Sequence, residues 1–143
     1  MQSWFDMDGT IADLYGVDGW LQMLRSYDPT PYYVAKPLVR MQSLARILNR
    51  LQREGYEIGI ISWSSKCSTP EYDKMVEAAK RSWLRTHLKS VSFDFIDITP
   101  YGVPNHDGRE GILFDDNEEI RNDWGEGAYE ANDILSVLKA LTL

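Results

Sequence analysis

The chain is short of cysteine, of positive charge and of long apolar runs, and each shortage removes a class of function. A single cysteine, Cys67, excludes a disulfide framework and a cysteine-rich metal centre. With no base near it in the sequence, Cys67 reads as incidental. The cations are outnumbered, 15 lysines and arginines against 22 acids, for a formal net charge of −7. Such a surface repels a nucleic-acid backbone. It still allows a small phosphorylated substrate held by a metal ion and one or two local cations. No apolar run approaches the length of a membrane span, and no basic-then-apolar leader precedes the first strand. A cytoplasmic protein without membrane partners is the expectation. No linker, repeat or low-complexity stretch divides the 143 residues, so a single domain, 1–143, is expected.

What is present alternates between two periods. Ser3 to Phe5 is a short buried strand, and "YEIGIIS" is a second, ending at Ser62. "VSFDFIDI" alternates like a half-buried strand, "GILF" is short and buried, and "GAYE" reads as a last short strand. Between them, Asp18 to Arg25 reads as a helix capped by Asp18, with Trp20, Leu21 and Leu24 on one face. A longer helix runs from Leu38 to a stop at Gly55 through Met41, Leu44, Ala45, Leu48 and Leu51. Thr69-Pro70-Glu71 starts another, continued by Tyr72, Met75, Val76, Ala79 and Trp83. One or two helical turns are expected over Asn117 to Trp124, and a final helix capped by Asn132. "SYDPTPYYVAKP", with three prolines, is expected to be loop. Strands alternating with helices predict an α/β domain with a mainly parallel sheet, whose ligands sit beyond the carboxyl ends of the strands.

Three of those ends carry the chemistry. "FDMDGT" puts Asp6 and Asp8 one residue apart after the first strand, Ser62 ends the second, and Asp115-Asp116 follow "GILF". Four converging carboxylates are electrostatically costly unless a cation offsets them, and an all-oxygen donor set suits Mg²⁺. One aspartate can attack phosphorus and form an aspartyl-phosphate, and a second acid two residues on can protonate the leaving oxygen and later activate water. Gly9 lets both carboxylates leave the strand end towards one point. The Ser62 hydroxyl, with nearby backbone N–H groups, suits the oxygens of the transferred group.

Asp6-Met7-Asp8-Gly9-Thr10 resembles the first motif of the haloacid dehalogenase (HAD) superfamily, D-x-D-G-T/V after an apolar strand. "IGIIS" ending at Ser62 and "ILFDDN" are similar to its second and fourth motifs, so the resemblance covers nearly the whole chain. "SWSSKCSTPEY" and "KRSWLRTHL" further resemble small 5'(3')-deoxyribonucleotidases and related phage and bacterial proteins. The resemblance implies a HAD-like Rossmannoid three-layer sandwich and an Mg²⁺-dependent phosphatase, with nucleotides among the candidate substrates. It assigns Asp6 as nucleophile and metal ligand. Asp8 becomes the general acid/base, lending its backbone carbonyl to the metal, and Asp115 and Asp116 complete the metal site. The phosphate side is expected to comprise Thr10, Ser62, Trp63 and Lys66.

Two departures qualify that expectation. The family's third motif, a lysine or arginine, falls by offset on Asn105, which has no charge. Lys66 is the preferred replacement, with Arg109 and His106 as alternatives. Only about Leu14 to Pro37 is available as a cap, so the chain looks capless or minimally capped, which leaves room for a homodimer whose partner acts as lid. The alternative reading is a degenerate HAD module that binds metal and phosphate with little or no turnover. A nucleic-acid 3'-phosphatase is disfavoured by the charge, and a receiver-type phosphoacceptor does not predict D-x-D-G-T.

Overall fold

The computed structural model describes residues 1–106 and 108–142. Its centre is a five-stranded sheet of β1 (Gln2–Phe5), β4 (Glu57–Trp63), β5 (Phe95–Thr99), β6 (Ile112–Phe114) and β7 (Ala128–Tyr129). The strand order is β5-β4-β1-β6-β7, and every pairing is parallel. Helices α3 (Met41–Arg53), α4 (Pro70–His87), α5 (Glu118–Trp124) and α6 (Ile134–Leu141) flank it, which makes a HAD-like Rossmannoid α/β fold.

The period of two along the strands separates the packing on the two faces. Phe5, Ile58, Ile60, Ile112 and Phe114 pack with Leu44, Leu48 and Leu51 of α3 and Ile134 and Leu138 of α6. Trp4, Ile61 and Leu113 form a separate cluster with Phe95, Ile120 and Trp124. Each fully buried side chain of this size contributes about 1.5–3 kcal/mol. Parallel strands buried on both faces read as continuous apolar runs, which is why "GILF" and "IGII" stand out in the sequence.

The segment between β1 and α3 differs from the sequence expectation. A short antiparallel pair, β2 (Ala12–Asp13) and β3 (Lys36–Pro37), closes its base. Between them lie a 3₁₀ turn at Leu14–Gly16, α1 (Trp20–Arg25) and α2 (Thr30–Val34). The proline-rich stretch therefore contains a helix. Pro31 sits in its first turn, where its missing N–H costs nothing, and Asp28 binds the Thr30 N–H at 2.9 Å. Asp18 does not cap α1; Gly19 does, in a left-handed conformation. Asn132 lies in a 3₁₀ turn, and the cap of α6 is Asp133. Leu14 and Tyr32 pack on Tyr72, Val76 and Ala79, so the inserted segment rests on α4. The Tyr72 hydroxyl adds a 2.8 Å bond to the Asp28 carbonyl. Among the described residues, no helix is long and apolar enough to cross a membrane.

Candidate active site

The central strand β1 has β4 on one side and β6 on the other, so the loops leaving these three strands diverge around one crevice. The loop after β1 is a tight turn. Met7, buried in the core, offers its carbonyl to the N–H groups of Thr10, Ile11 and Ala12, each at 3.0 Å. Gly9 sits at φ +78°, and a Cβ there would stand 2.2 Å from Asp116 Oδ2. Only glycine satisfies both the left-handed backbone and that close approach. The turn thereby presses the first motif against the acids that follow β6.

Asp6, Asp115 and Asp116 each bring a carboxylate oxygen within 4.8 Å of the others. Thr10 ties Asp6 to Asp116. Its hydroxyl donates to Asp6 Oδ2 at 3.0 Å, accepts from the Asp116 N–H at 3.1 Å and stands 3.4 Å from Asp116 Oδ1. Asp115 is buried and accepts the Asn117 N–H at 2.8 Å. Burial, then the charges of Asp115, Asp8 and Asp116, hold the Asp6 carboxyl well above the ordinary range. Burial foremost, opposed by the Asn117 N–H and joined by the Asp116 charge, pushes Asp115 up to about 7. Excess negative charge on a compact set of hard oxygens fits a divalent cation such as Mg²⁺, which would offset it.

The fourth carboxylate points elsewhere. Asp8 Oδ2 accepts a 2.9 Å bond from Lys80 Nζ, outside the three-oxygen cluster. Lys80 reaches in from α4 with its side chain 1% exposed, and also donates to Ser62 Oγ at 2.6 Å and to the Trp63 carbonyl at 2.7 Å. All three of its donors are used. The Tyr32 ring lies 5.2 Å from the ammonium. The ammonium beside Asp8 and Ser62 thus comes from α4, and not from the expected Lys66, Arg109 or His106. Arg109 pairs with Asp97, bonds the Asn105 carbonyl and stacks 4.4 Å over Trp4. His106 Nε2 stands 3.9 Å from Asp123. Lys66 is exposed on the wall of the crevice, 5.9 Å from the Tyr101 ring centroid. Asn105 also lines the crevice, with its amide on Thr99 Oγ1 at 3.2 Å.

Lys80 had a signal in the sequence. Tyr72, Val76, Ala79 and Trp83 form the buried stripe of α4, and Lys80 falls inside it, four residues after Val76 and three before Trp83. A lysine on an apolar helical face is buried only when paired, so its position points to a carboxylate partner. It is also the lysine that opens the quoted "KRSW" stretch.

The remaining expected residues are placed as follows. Ser62 is buried beside Lys80, with its hydroxyl oxygen accepting the ammonium. Thr10 is wholly buried among the carboxylates, a different position from the expected phosphate contact. The Trp63 indole donates to the Val103 carbonyl at 2.7 Å and packs on Tyr101 at 5.0 Å, so its ring faces the loop after β5. Above the acids opens a cavity of about 790 Å³, walled also by Tyr15, Trp20 and Arg25. Its volume suits a drug-sized molecule rather than inorganic phosphate alone.

A search of solved structures finds a similar fold. The chain aligns with the crystal structure of D,D-heptose 1,7-bisphosphate phosphatase from Burkholderia thailandensis at a TM-score of 0.59 and 12% identity. The alignment covers 99% of this chain and 97% of that one. At that identity the likeness is one of fold, here a shared HAD-like architecture across the full length. No family model matches the chain, and a search of curated proteins finds no match either.

Proposed function

We propose that this protein is an Mg²⁺-dependent phosphomonoesterase working through an aspartyl-phosphate on Asp6. The observation that carries the reading is the division of the four acids. Three gather into one oxygen cluster, and the fourth, Asp8, is paired with a buried ammonium that also holds Ser62. Asp6, Asp115 and Asp116 would hold the metal, together with the Asp8 backbone carbonyl. The ion supplies charge neutralisation and polarises a phosphoryl oxygen.

The chain's own groups account for the rest. An Asp6 oxygen attacks phosphorus as the bond to the ester oxygen breaks, and Asp8 gives that oxygen its proton. Asp8 then takes a proton from water, whose oxygen attacks phosphorus and displaces Asp6, releasing phosphate. The proton that Asp8 gives to the leaving oxygen is replaced by the one it takes from water, so the cycle closes. Lys80 and Ser62 place positive charge and a hydroxyl where negative charge builds on the transferred group. Thr10 fixes Asp6 against Asp116, a positioning role. The chain acts as one domain, with residues 14–37 as a minimal cap resting on α4. Its substrate is a small phosphorylated molecule, and nucleotides belong first in the panel.

The alignment with a heptose bisphosphate phosphatase supports a phosphatase reading in general terms. The degenerate-module alternative rested on a missing lysine at Asn105, and the Lys80 ammonium beside Asp8 weighs against it. The test is hydrolysis of an aryl phosphate with Mg²⁺ by wild type and Asp6→Asn. Wild type should turn over, and the variant should lose at least about 10²-fold. Equal rates in the two proteins would overturn the proposal.

A further inference from the structure

The cavity is much larger than a phosphoryl group needs, and charges of both signs line it. Its acids are the four at the strand ends: Asp6, Asp8, Asp115 and Asp116. Its lining also carries two exposed cations, Arg25 at the end of α1 and Lys66 in the loop after β4. Neither has a carboxylate within 4.0 Å among the described residues, so no ion pair occupies either charge. Lys66 stands over Tyr101, which in turn packs on Trp63, so an aromatic pair backs its ammonium. The lining holds a second aromatic pair, Tyr15 and Trp20, at 5.0 Å.

We propose that Arg25 and Lys66 form a subsite for a second anionic group of the substrate. Arg25 and Lys66 would bind a phosphate or carboxylate on the leaving group, while the inner acids and Lys80 address the scissile phosphoryl. A molecule with one anion at each end would match a cavity lined by these two cations once the metal offsets the acids. Arginine's fork suits either oxyanion, and lysine adds a point charge. This subsite rests on the phosphatase reading for the identity of the inner group.

The experiment reads binding and turnover separately. Alkylphosphonates ending in a methyl, a carboxylate or a second phosphonate, over a series of chain lengths, are titrated into the Mg²⁺-loaded protein by calorimetry. The matching phosphomonoesters are assayed in parallel. At one chain length, the dianionic ligands should bind and react at least about tenfold better than the methyl-terminated ones. The carboxylate and phosphonate arms tell which oxyanion is preferred. Arg25→Gln and Lys66→Gln should each erase much of that advantage, and Arg25→Gln should leave the methyl-terminated series within about threefold. Both residues are exposed, and circular dichroism checks that the variants fold. Equal affinity across the three end groups at every length overturns the subsite. So does a Lys66→Gln loss that falls equally on all three, since Lys66 would then serve the transferred phosphoryl. Tighter dianion binding without Asp6-dependent turnover upholds the subsite and removes the phosphatase reading instead.

Discussion

Lys80→Met keeps most of the apolar stem and removes the ammonium. Three acceptors lose their donor: Asp8 Oδ2 at 2.9 Å, Ser62 Oγ at 2.6 Å and the Trp63 carbonyl at 2.7 Å. Breaking a buried ion pair by removing one partner costs about 3–5 kcal/mol. Here the lysine side chain is 1% exposed but Asp8 is 18% exposed, so cavity water recovers part of the loss. A net destabilisation of about 2–4 kcal/mol follows, a large share of the ~5–15 kcal/mol expected for a domain of this kind. The rate should fall by about 10²–10³, the range for deleting one preorganised charge beside a developing anion. Urea titration with Mg²⁺ present gives the first number, and kcat/KM on an aryl phosphate, measured where the variant is fully folded, gives the second. An unchanged urea midpoint would refute the ion-pair argument. A lowered midpoint with kcat/KM within a few-fold of wild type would make Lys80 a structural strut only.

Gly9→Ala should be poorly tolerated, because φ +78° costs an L-residue about 1–2 kcal/mol and the new Cβ meets Asp116 Oδ2. Reduced Mg²⁺ affinity by calorimetry, together with a lowered Tm, is the expected result. Asn105→Lys should give no gain in turnover, since Lys80 already pairs with Asp8 and Ser62 and the Asn105 amide is engaged with Thr99. A clear rise in kcat would restore the idea of a missing cation. In EDTA, stability should fall as pH rises from about 4 through about 7. Asp6 and Asp115 hold their protons there in the folded state while the unfolded chain releases them near 3.8, so folding binds protons across that window. For Asp115 the move from 3.8 to about 7 corresponds to at most ~4 kcal/mol. Asp115→Asn should flatten the fall, and Mg²⁺ should raise Tm more at pH 8 than at pH 5. A wild-type Tm in EDTA that is flat or rising across the window contradicts this account.

Much of the site was legible because β-strand ends are local. An apolar run that stops at "DMDGT", "S" or "DD" states which backbone carries which group, and the parallel order places those ends at one edge of the sheet. Thr69 and Pro70 likewise announce α4, since capping depends on a few adjacent residues. The inserted segment was harder to read. Its helix α2 is only five residues long and holds by packing Tyr32 against α4, a contact that local propensity does not encode. Asp18 and Asn132 had the right chemistry for caps and were displaced by neighbours one residue closer to the helix start.

The sequence by itself determined the strand ends, the acids on them and the glycine that lets two of them turn inward, because each follows from short-range sterics and period. Only the tertiary structure decided how those acids divide. Asp6, Asp115 and Asp116 meet because β1 and β6 are neighbours, and Asp8 leaves them for a lysine on α4, 72 residues away in the chain. A buried charge finds its partner through the packing of a helix on a sheet, and an offset counted along the chain carries no information about which helix that will be.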